Sequence, residues 1–300
     1  MDSFLWWPVC SKIPKKQWTG GAGVILVTGA GGKTGRSVVR ALTRRGARVR
    51  GLVHRPVDLP ELDEMVVGDM RAPAVVQSAM QGVRAVYHIC PNMSQDEVAI
   101  GRLMLTAACT AGIEHFVYHS VLHPQVEAMP HHWQKMRVEE MLFESGLNFT
   151  ILQPTAYMQN ILAHRHKILT DGVYPVPYPV DARLSLVDLE DVGEAAAIIL
   201  TEPGHTGATY ELVGTEPVSQ VEVAAVLEKV VGRPVRAVQV SLTEWEARAR
   251  QTGLGNYQID TLVKMFRYYE RFGLVGNPNV LAWLLGRPPQ SLANFVRRVF

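Results

Sequence analysis

Residues 24–35 read VILVTGAGGKTG. Val24, Ile25, Leu26 and Val27 form an apolar, largely β-branched run that suits a buried strand. Thr28-Gly29 ends the run, glycines recur at 29, 32 and 35, and an apolar-periodic segment follows through Val38, Val39 and Leu42. The order is strand, tight glycine turn, helix. That geometry presents backbone N–H groups and the positive end of a helix dipole where a pyrophosphate can sit. Gly29 allows the turn, Gly32 the close approach of backbone to phosphate, and Gly35 the packing of helix on strand. Lys33 and Thr34 belong to the same loop. The spacing is G-x-x-G-x-x-G; the commoner G-x-G-x-x-G fails because position 34 is Thr. No G-x-x-x-x-G-K-[ST] occurs, which excludes a P-loop, and Gly20, Gly21 and Gly23 have no strand before them.

Outward from this motif, strand and helix patterns alternate as far as Pro154. Strands are expected over 47–53, 65–68, 85–90, 115–120 and 148–153. Helices are expected over a short piece at 59–64 and over 73–81, 96–111 and 131–145, several ending in Gly. Repeated β-α-β predicts an α/β fold: a Rossmann-like doubly wound parallel sheet with a smaller, mainly helical C-terminal lobe. The expected divisions are an N-terminal extension over 1–21, a nucleotide-binding domain over 22–157 with 207–214 returning to the sheet, and a substrate-side lobe over 158–300. Beyond Pro154, the segment VYPVPYP (173–179) is too proline-rich for a central strand. Ser219 and Glu222 form a capping box before an apolar helix.

The 300 residues are 47% hydrophobic and 19% charged with a net charge of +2, an ordinary globular balance that implies no strongly charged partner. The arginines at 36, 40, 44, 45, 48 and 50 read as a solvated helix face and the next strand, and no nucleic-acid recognition motif accompanies them. Cys10, Cys90 and Cys109 are widely spaced and suggest no disulfide framework, hence a reducing compartment and a cytoplasmic location. No apolar run reaches the ~20 residues of a membrane span. Histidines cluster at 115, 119, 123, 131 and 132, but no Cys or acid stands at ligand spacing with them, and no metal site is expected.

The end of the second strand reports cofactor choice. An NAD binder places an acid there for the adenosine ribose. This chain reads Leu52-Val53-His54-Arg55, and Arg55 suits a 2′-phosphate, with Lys33 and Arg36 adding charge. NADP(H) is therefore expected in preference to NAD(H).

With VTGAGGKTG (27–35), HRP (54–56), VVGDM (66–70), VYHICP (86–91), HFVYHSV (115–121), KMRVEEMLFESGLNFTILQPTAYMQN (135–160) and SLVDLEDVGEAAAIIL (185–200), the chain resembles the NmrA-like group of atypical short-chain dehydrogenases/reductases. The resemblance spans nearly everything after residue 23. It implies that Asp69 and Met70 lie along the adenine, and that Cys90 and Pro91 face the nicotinamide ribose through backbone. It also implies that Ser120 stands at the active-site mouth, that Lys135 holds the nicotinamide ribose hydroxyls, and that Pro154 and Thr155 border the nicotinamide.

Standard short-chain dehydrogenases use Tyr-x-x-x-Lys, in which the lysine lowers the tyrosine pKa for proton exchange. Four residues before Lys135 stands His131, which could donate a proton instead. Tyr87, Tyr118 and Tyr157 are further candidates, with Tyr118 better read as packing in the sheet. Lys135, His131 and Ser120 are the catalytic candidates. Two functions follow. One is an NADPH-dependent reductase of quinones or other small conjugated acceptors, which need little help from a positioned acid. The other is a non-catalytic redox sensor that binds NADP(H) and signals to a protein partner. Tyr174, Tyr178, Met265 and Phe266 suit an apolar or aromatic small-molecule ligand, in a pocket expected at the carboxyl ends of the strands between the two parts.

Overall fold

A computed structural model of the chain describes residues 10, 18–21 and 23–300. The aromatic stretch at positions 4–7 lies outside the described residues. The elements run β1 (Val24–Thr28), α1 (Lys33–Arg44), β2 (Arg48–Val53), β3 (Glu64–Val67), α2 (Pro73–Met80), β4 (Val83–His88), α3 (Glu97–Ala111), β5 (His115–His119), α4 (Pro130–Ser145) and β6 (Phe149–Pro154). They continue with β7 (Ala156–Tyr157), a 3-10 stretch (Met158–His164), α5 (Arg165–Asp171), β8 (Val173–Val176), β9 (Leu186–Val187), α6 (Leu189–Thr201) and β10 (Thr209–Leu212). The rest is α7 (Gln220–Val231), β11 (Arg236–Gln239), α8 (Leu242–Gln251), α9 (Asn256–Phe272), α10 (Asn279–Leu285) and α11 (Leu292–Val299).

Seven strands form one sheet in the order β10-β6-β5-β4-β1-β2-β3, a parallel Rossmann-like α/β sheet. The order turns back at β1, the doubly wound arrangement. Central strands are buried along their whole length, as β1, β5 and β6 are, because helices cover both faces. The edge strand β3 alternates between half-buried and exposed residues, as a strand with a solvated face should. One face packs a continuous core in which Leu26, Val86, Phe116 and Ile151 from the sheet meet Met80 of α2, Met104 and Leu105 of α3 and Val138 and Leu142 of α4. No helix forms over 59–64; Leu59 and Leu62 close a turn there instead.

The chain groups into two compact units. One takes the described residues up to 124 with 134–153 and 192–210; the other takes 125–133, 154–191 and 211–300. The second unit holds two small parallel ribbons, β8 with β11 and β7 with β9, amid helices. VYPVPYP thus contributes a strand, but only to a two-stranded ribbon, where proline is tolerated. The Ser219–Glu222 capping box forms as read. Asp188 and Asp191, both fully buried, are matched by Arg298 at 2.6 Å and Arg287 at 2.8 Å.

Two findings concern the start of the chain. Trp18 docks on the first unit: its indole N–H donates to the Glu202 carbonyl at 3.0 Å, the Arg84 guanidinium lies 4.7 Å from its ring centre, and the His115 ring stands 5.0 Å away. The expectation of three unbonded cysteines is corrected. Cys10 and Cys109 form a disulfide across 99 residues of sequence, and Cys90 alone is free. The pairing depends on Cys10 reaching the last turns of α3, which spacing along the chain does not reveal. The bond also removes the cysteine-based reason for a reducing compartment. Among the described residues no helix is long and apolar enough to cross a membrane.

Candidate active site

Parallel strands align their carboxyl ends on one edge of a sheet, and the anticipated site residues fall there. Gly29 follows β1, Arg55 follows β2, Asp69 and Met70 follow β3, Cys90 and Pro91 follow β4, Ser120 follows β5, and Pro154 ends β6. Loops at this edge beside the point where strand order reverses are where open α/β sheets bind ligands.

The glycine loop has the geometry its sequence implies. Gly29 takes φ +59°, a left-handed conformation that favours glycine. Gly35 approaches the turn so closely that a Cβ would lie 2.2 Å from the Gly29 carbonyl oxygen. Gly32, which precedes α1, is exposed; a Cβ there would meet one atom, the Gly29 carbonyl oxygen at 3.3 Å, and otherwise open space. The first-turn N–H groups of α1, those of Lys33, Thr34 and Gly35, have no intrahelical acceptor. Thr34 is buried beneath the loop and Lys33 is exposed. Arg36 braces the loop: its Nε donates to the Gly31 carbonyl at 3.0 Å and an Nη to the Asp58 carbonyl at 2.9 Å. Arg55 is exposed and makes no side-chain hydrogen bond or ion pair among the described residues.

Asp69 is less available than its position suggests. Arg71 grips its carboxylate at 2.7 Å and extends to Asp96 at 3.4 Å. Those Arg71 hydrogen bonds hold the Asp69 carboxyl down to about 2. Met70 is buried in the core under the sheet edge. Cys90 is buried and Pro91 exposed, and burial pushes the Cys90 thiol well above its ordinary range, as does nearby Glu97.

Lys135 and Ser120 come together with two acids that the sequence reading passed over. Lys135 Nζ, on α4, lies 3.0 Å from Glu97 Oε1 on α3 and donates to the His119 carbonyl at 3.0 Å. Tyr118 donates its hydroxyl to the same Glu97 oxygen at 2.8 Å. Ser120 Oγ donates to Glu139, and Gln153 Nε2 lies 3.0 Å from both Glu139 oxygens. Burial raises the Glu139 pKa, against the hydrogen bonds from Ser120 and Gln153 that lower it. Glu139 sits four residues after Lys135, on the same side of α4, a spacing that could have marked it. Nothing local to residue 97 signals its partner.

The aromatic proton-donor candidates divide. Tyr118 and Tyr87 are wholly buried, Tyr87 hydrogen-bonding His119 Nδ1 at 2.5 Å, and burial raises the Tyr118 pKa well above its ordinary value. Tyr157 is half-buried in β7. His131 is nearly buried in the first turn of α4 beside His132. Burial, with the Lys135 charge added, holds His88 down to about 3 and His119 well below its usual value. Among the described residues no three His, Cys, Asp or Glu side chains are arranged to hold a metal ion.

The chain belongs to the NmrA-like family. The family's model matches residues 22–292. The chain is 30% identical over 282 residues to an NAD(P)H azoreductase of Xenophilus azovorans, covering 91% of this chain and 97% of that one. It is similar to the NADPH complex of an NADPH-dependent quinone oxidoreductase from Escherichia coli, with 27% identity, 92% and 99% of the two chains covered, and a TM-score of 0.80. The fold is shared with NmrA, a negative transcriptional regulator solved with NAD, at 20% identity, 93% and 95% coverage and a TM-score of 0.77.

Proposed function

We propose that this protein is an NADPH-dependent reductase of quinone-type or other small conjugated acceptors. The observation that carries the reading is the row of loop residues at the carboxyl edge of one parallel sheet, from the glycine turn after β1 to Lys135 and Ser120 beside the end of β5. The full-length likeness to an azoreductase and a quinone oxidoreductase supports it.

The residues present fit a dinucleotide. The open space above Gly32 and the N-terminal N–H groups of α1 form a cradle for two phosphates. Arg55, exposed and without a partner among the described residues, supplies a cation for a 2′-phosphate and favours NADP(H) over NAD(H). In this reading Asp69 and Met70 border the adenine, backbone at Cys90 and Pro91 borders the second ribose, and Lys135 binds its hydroxyls. Pro154 and Thr155 flank the ring. When bound, the nicotinamide supplies the hydride, so the protein's task is orientation and a dry pocket. Ser120 and Glu139 hold a proton at the strand edge, with His131 as the alternative source. In the second unit Tyr178 stands 5.9 Å from both Phe266 and Tyr269, and Trp245 4.8 Å from Phe266, an aromatic group suited to a flat apolar acceptor.

A second reading, an NADP(H)-binding sensor acting on a protein partner, is favoured by one feature: histidine replaces the proton-donating tyrosine four residues before Lys135. NADPH absorbance followed over a panel of quinones, azo compounds and conjugated carbonyls separates the two. Turnover that falls in Lys135→Ala supports the reductase. Tight NADPH binding without turnover across the panel would overturn it in favour of the sensor.

A further inference from the structure

Lys135 is an unusual lysine. Its side chain is 5% exposed, and the Glu97 side chain beside it is not exposed at all. Taking an ammonium out of water favours its neutral form strongly unless an opposite charge stands close by. Titratable and charged groups interact with it from α3, β4, β5 and α4. Glu97, with Asp96 next to it in sequence, comes from the start of α3; His88 and Cys90 come from β4 and the loop after it. Tyr118 and His119 come from β5, and Glu139 from α4. Glu139 is taken by Ser120 and Gln153, and Arg71 reaches Asp96. Among the described residues, Glu97 alone sets a carboxylate oxygen within ion-pair distance of Nζ.

The rest of the geometry fixes the pair. Glu97 sits in the first turn of α3, where the helix dipole favours an anion. Tyr118 clamps the same carboxylate oxygen and turns its ring face toward Nζ, 5.2 Å from the ring centre. An ammonium has three N–H donors. Two are spent on Glu97 and the His119 carbonyl, at the end of β5, and the third has no partner among the described residues. Glu97 Oε2 is likewise buried without a hydrogen-bond partner among them.

We propose that Glu97 is the positioning residue of Lys135, holding its ammonium at the end of β5 with one N–H donor in reserve. Resting on the reading of Lys135 as the ribose-binding lysine, this makes the third donor the one offered to a ribose hydroxyl. Glu97 acts through Lys135.

The test is the side-chain ¹H–¹⁵Nζ correlation of Lys135 in the cofactor-free protein, assigned by its loss in Lys135→Met. An ammonium held by Glu97 and the His119 carbonyl is expected to exchange its protons slowly enough to give that correlation, and Glu97→Gln should abolish it. A correlation that persists in Glu97→Gln overturns the proposal. NADPH affinity, read from cofactor fluorescence, should fall about tenfold or more in Glu97→Gln and no further when the substitution is added to Lys135→Met; a purely structural defect would weaken it equally in both backgrounds. If the correlation is lost but NADPH affinity is unchanged, Glu97 still positions the lysine, and the ribose role of Lys135 is what fails. Should Glu97→Gln not fold, the double variant Glu97→Gln/Lys135→Met carries the test. Folding restored by removing both charges supports the proposal, and a double variant that still does not fold overturns it.

Discussion

Ser120 Oγ, immediately after β5, donates its hydrogen bond to the buried carboxylate of Glu139 on α4. The strand-end serine is therefore tied to an acid from the helix that also carries Lys135, and Gln153 at the end of β6 shares that acid. Serine, acid and amide form a hydrogen-bonded cluster at the sheet edge, beside the Lys135–Glu97 pair. The chemistry proposed for this edge rests on two buried carboxylates, Glu97 held by Tyr118 and Lys135, and Glu139 held by Ser120 and Gln153.

The Glu139 cluster makes a pH prediction. Burial raises the folded-state pKa of Glu139 above its unfolded value, so the native state binds this proton more tightly. Stability from this group is greatest below the unfolded pKa and is lost as pH rises through the folded one. Glu139→Gln removes that loss. The melting temperature of Glu139→Gln relative to wild type should climb as pH rises above the ordinary carboxylate range. A difference that stays constant with pH, measured by differential scanning fluorimetry, would contradict the assignment.

Removing the serine should be felt as well. Ser120→Ala takes a donor from a buried carboxylate and is expected to cost about 1–3 kcal/mol of stability in a denaturant titration. If Ser120 also passes a proton to substrate, kcat for acceptor reduction falls while the NADPH dissociation constant does not. Unchanged stability and turnover together would show that the hydroxyl is idle.

Arg55→Ala should weaken NADPH binding by about 10- to 100-fold, the value of one charged hydrogen-bonding contact, and leave NADH binding nearly unchanged. Competitive binding of the two cofactors checks this. Equal loss for both would remove the 2′-phosphate role.

Two glycines of one loop should behave differently. Gly32→Leu meets one close atom, the Gly29 carbonyl oxygen at 3.3 Å, and otherwise open space, so the melting temperature should fall less than in Gly35→Ala while dinucleotide binding is lost. Gly35→Ala drives a methyl to 2.2 Å from the Gly29 carbonyl oxygen and should lower stability by roughly 1–3 kcal/mol. Retained NADPH binding in Gly32→Leu would refute the phosphate cradle.

The Cys10–Cys109 bond closes a long loop containing β1 to α3. Reduction, or Cys109→Ser, should lower stability by about 2–5 kcal/mol. Melting with and without dithiothreitol, alongside a thiol count under denaturing conditions, measures it. Three free thiols in the untreated protein would mean that the bond does not form in solution.

Local pattern carried most of the architecture. The β-branched run before Gly29, the spacing of 29, 32 and 35, the helix stops at Gly112 and Gly146 and the Ser219–Glu222 cap each depend on residues a few positions apart. Their conformations follow from short-range sterics and periodicity. That is why the strand ends, and with them Gly29, Arg55, Asp69, Cys90, Ser120 and Pro154, could be placed on one sheet edge from sequence. At 59–64 the local reading failed, because the stretch is too short for a helix nucleus and closes as a turn.

The partners of those residues were decided by tertiary packing. Glu97 meets Lys135 across 38 residues, Gln153 meets Glu139 across 14 and Cys10 meets Cys109 across 99. A buried charge must be neutralised by whatever the packing of α3 and α4 on the sheet brings within about 3–4 Å, and chain separation carries no record of that encounter. The sequence by itself therefore determined the sheet, its glycine turn and the edge that carries the candidate site. Only the tertiary structure decided which acids hold Lys135 and Ser120, that Arg71 occupies Asp69, and that the start of the chain is bonded to α3.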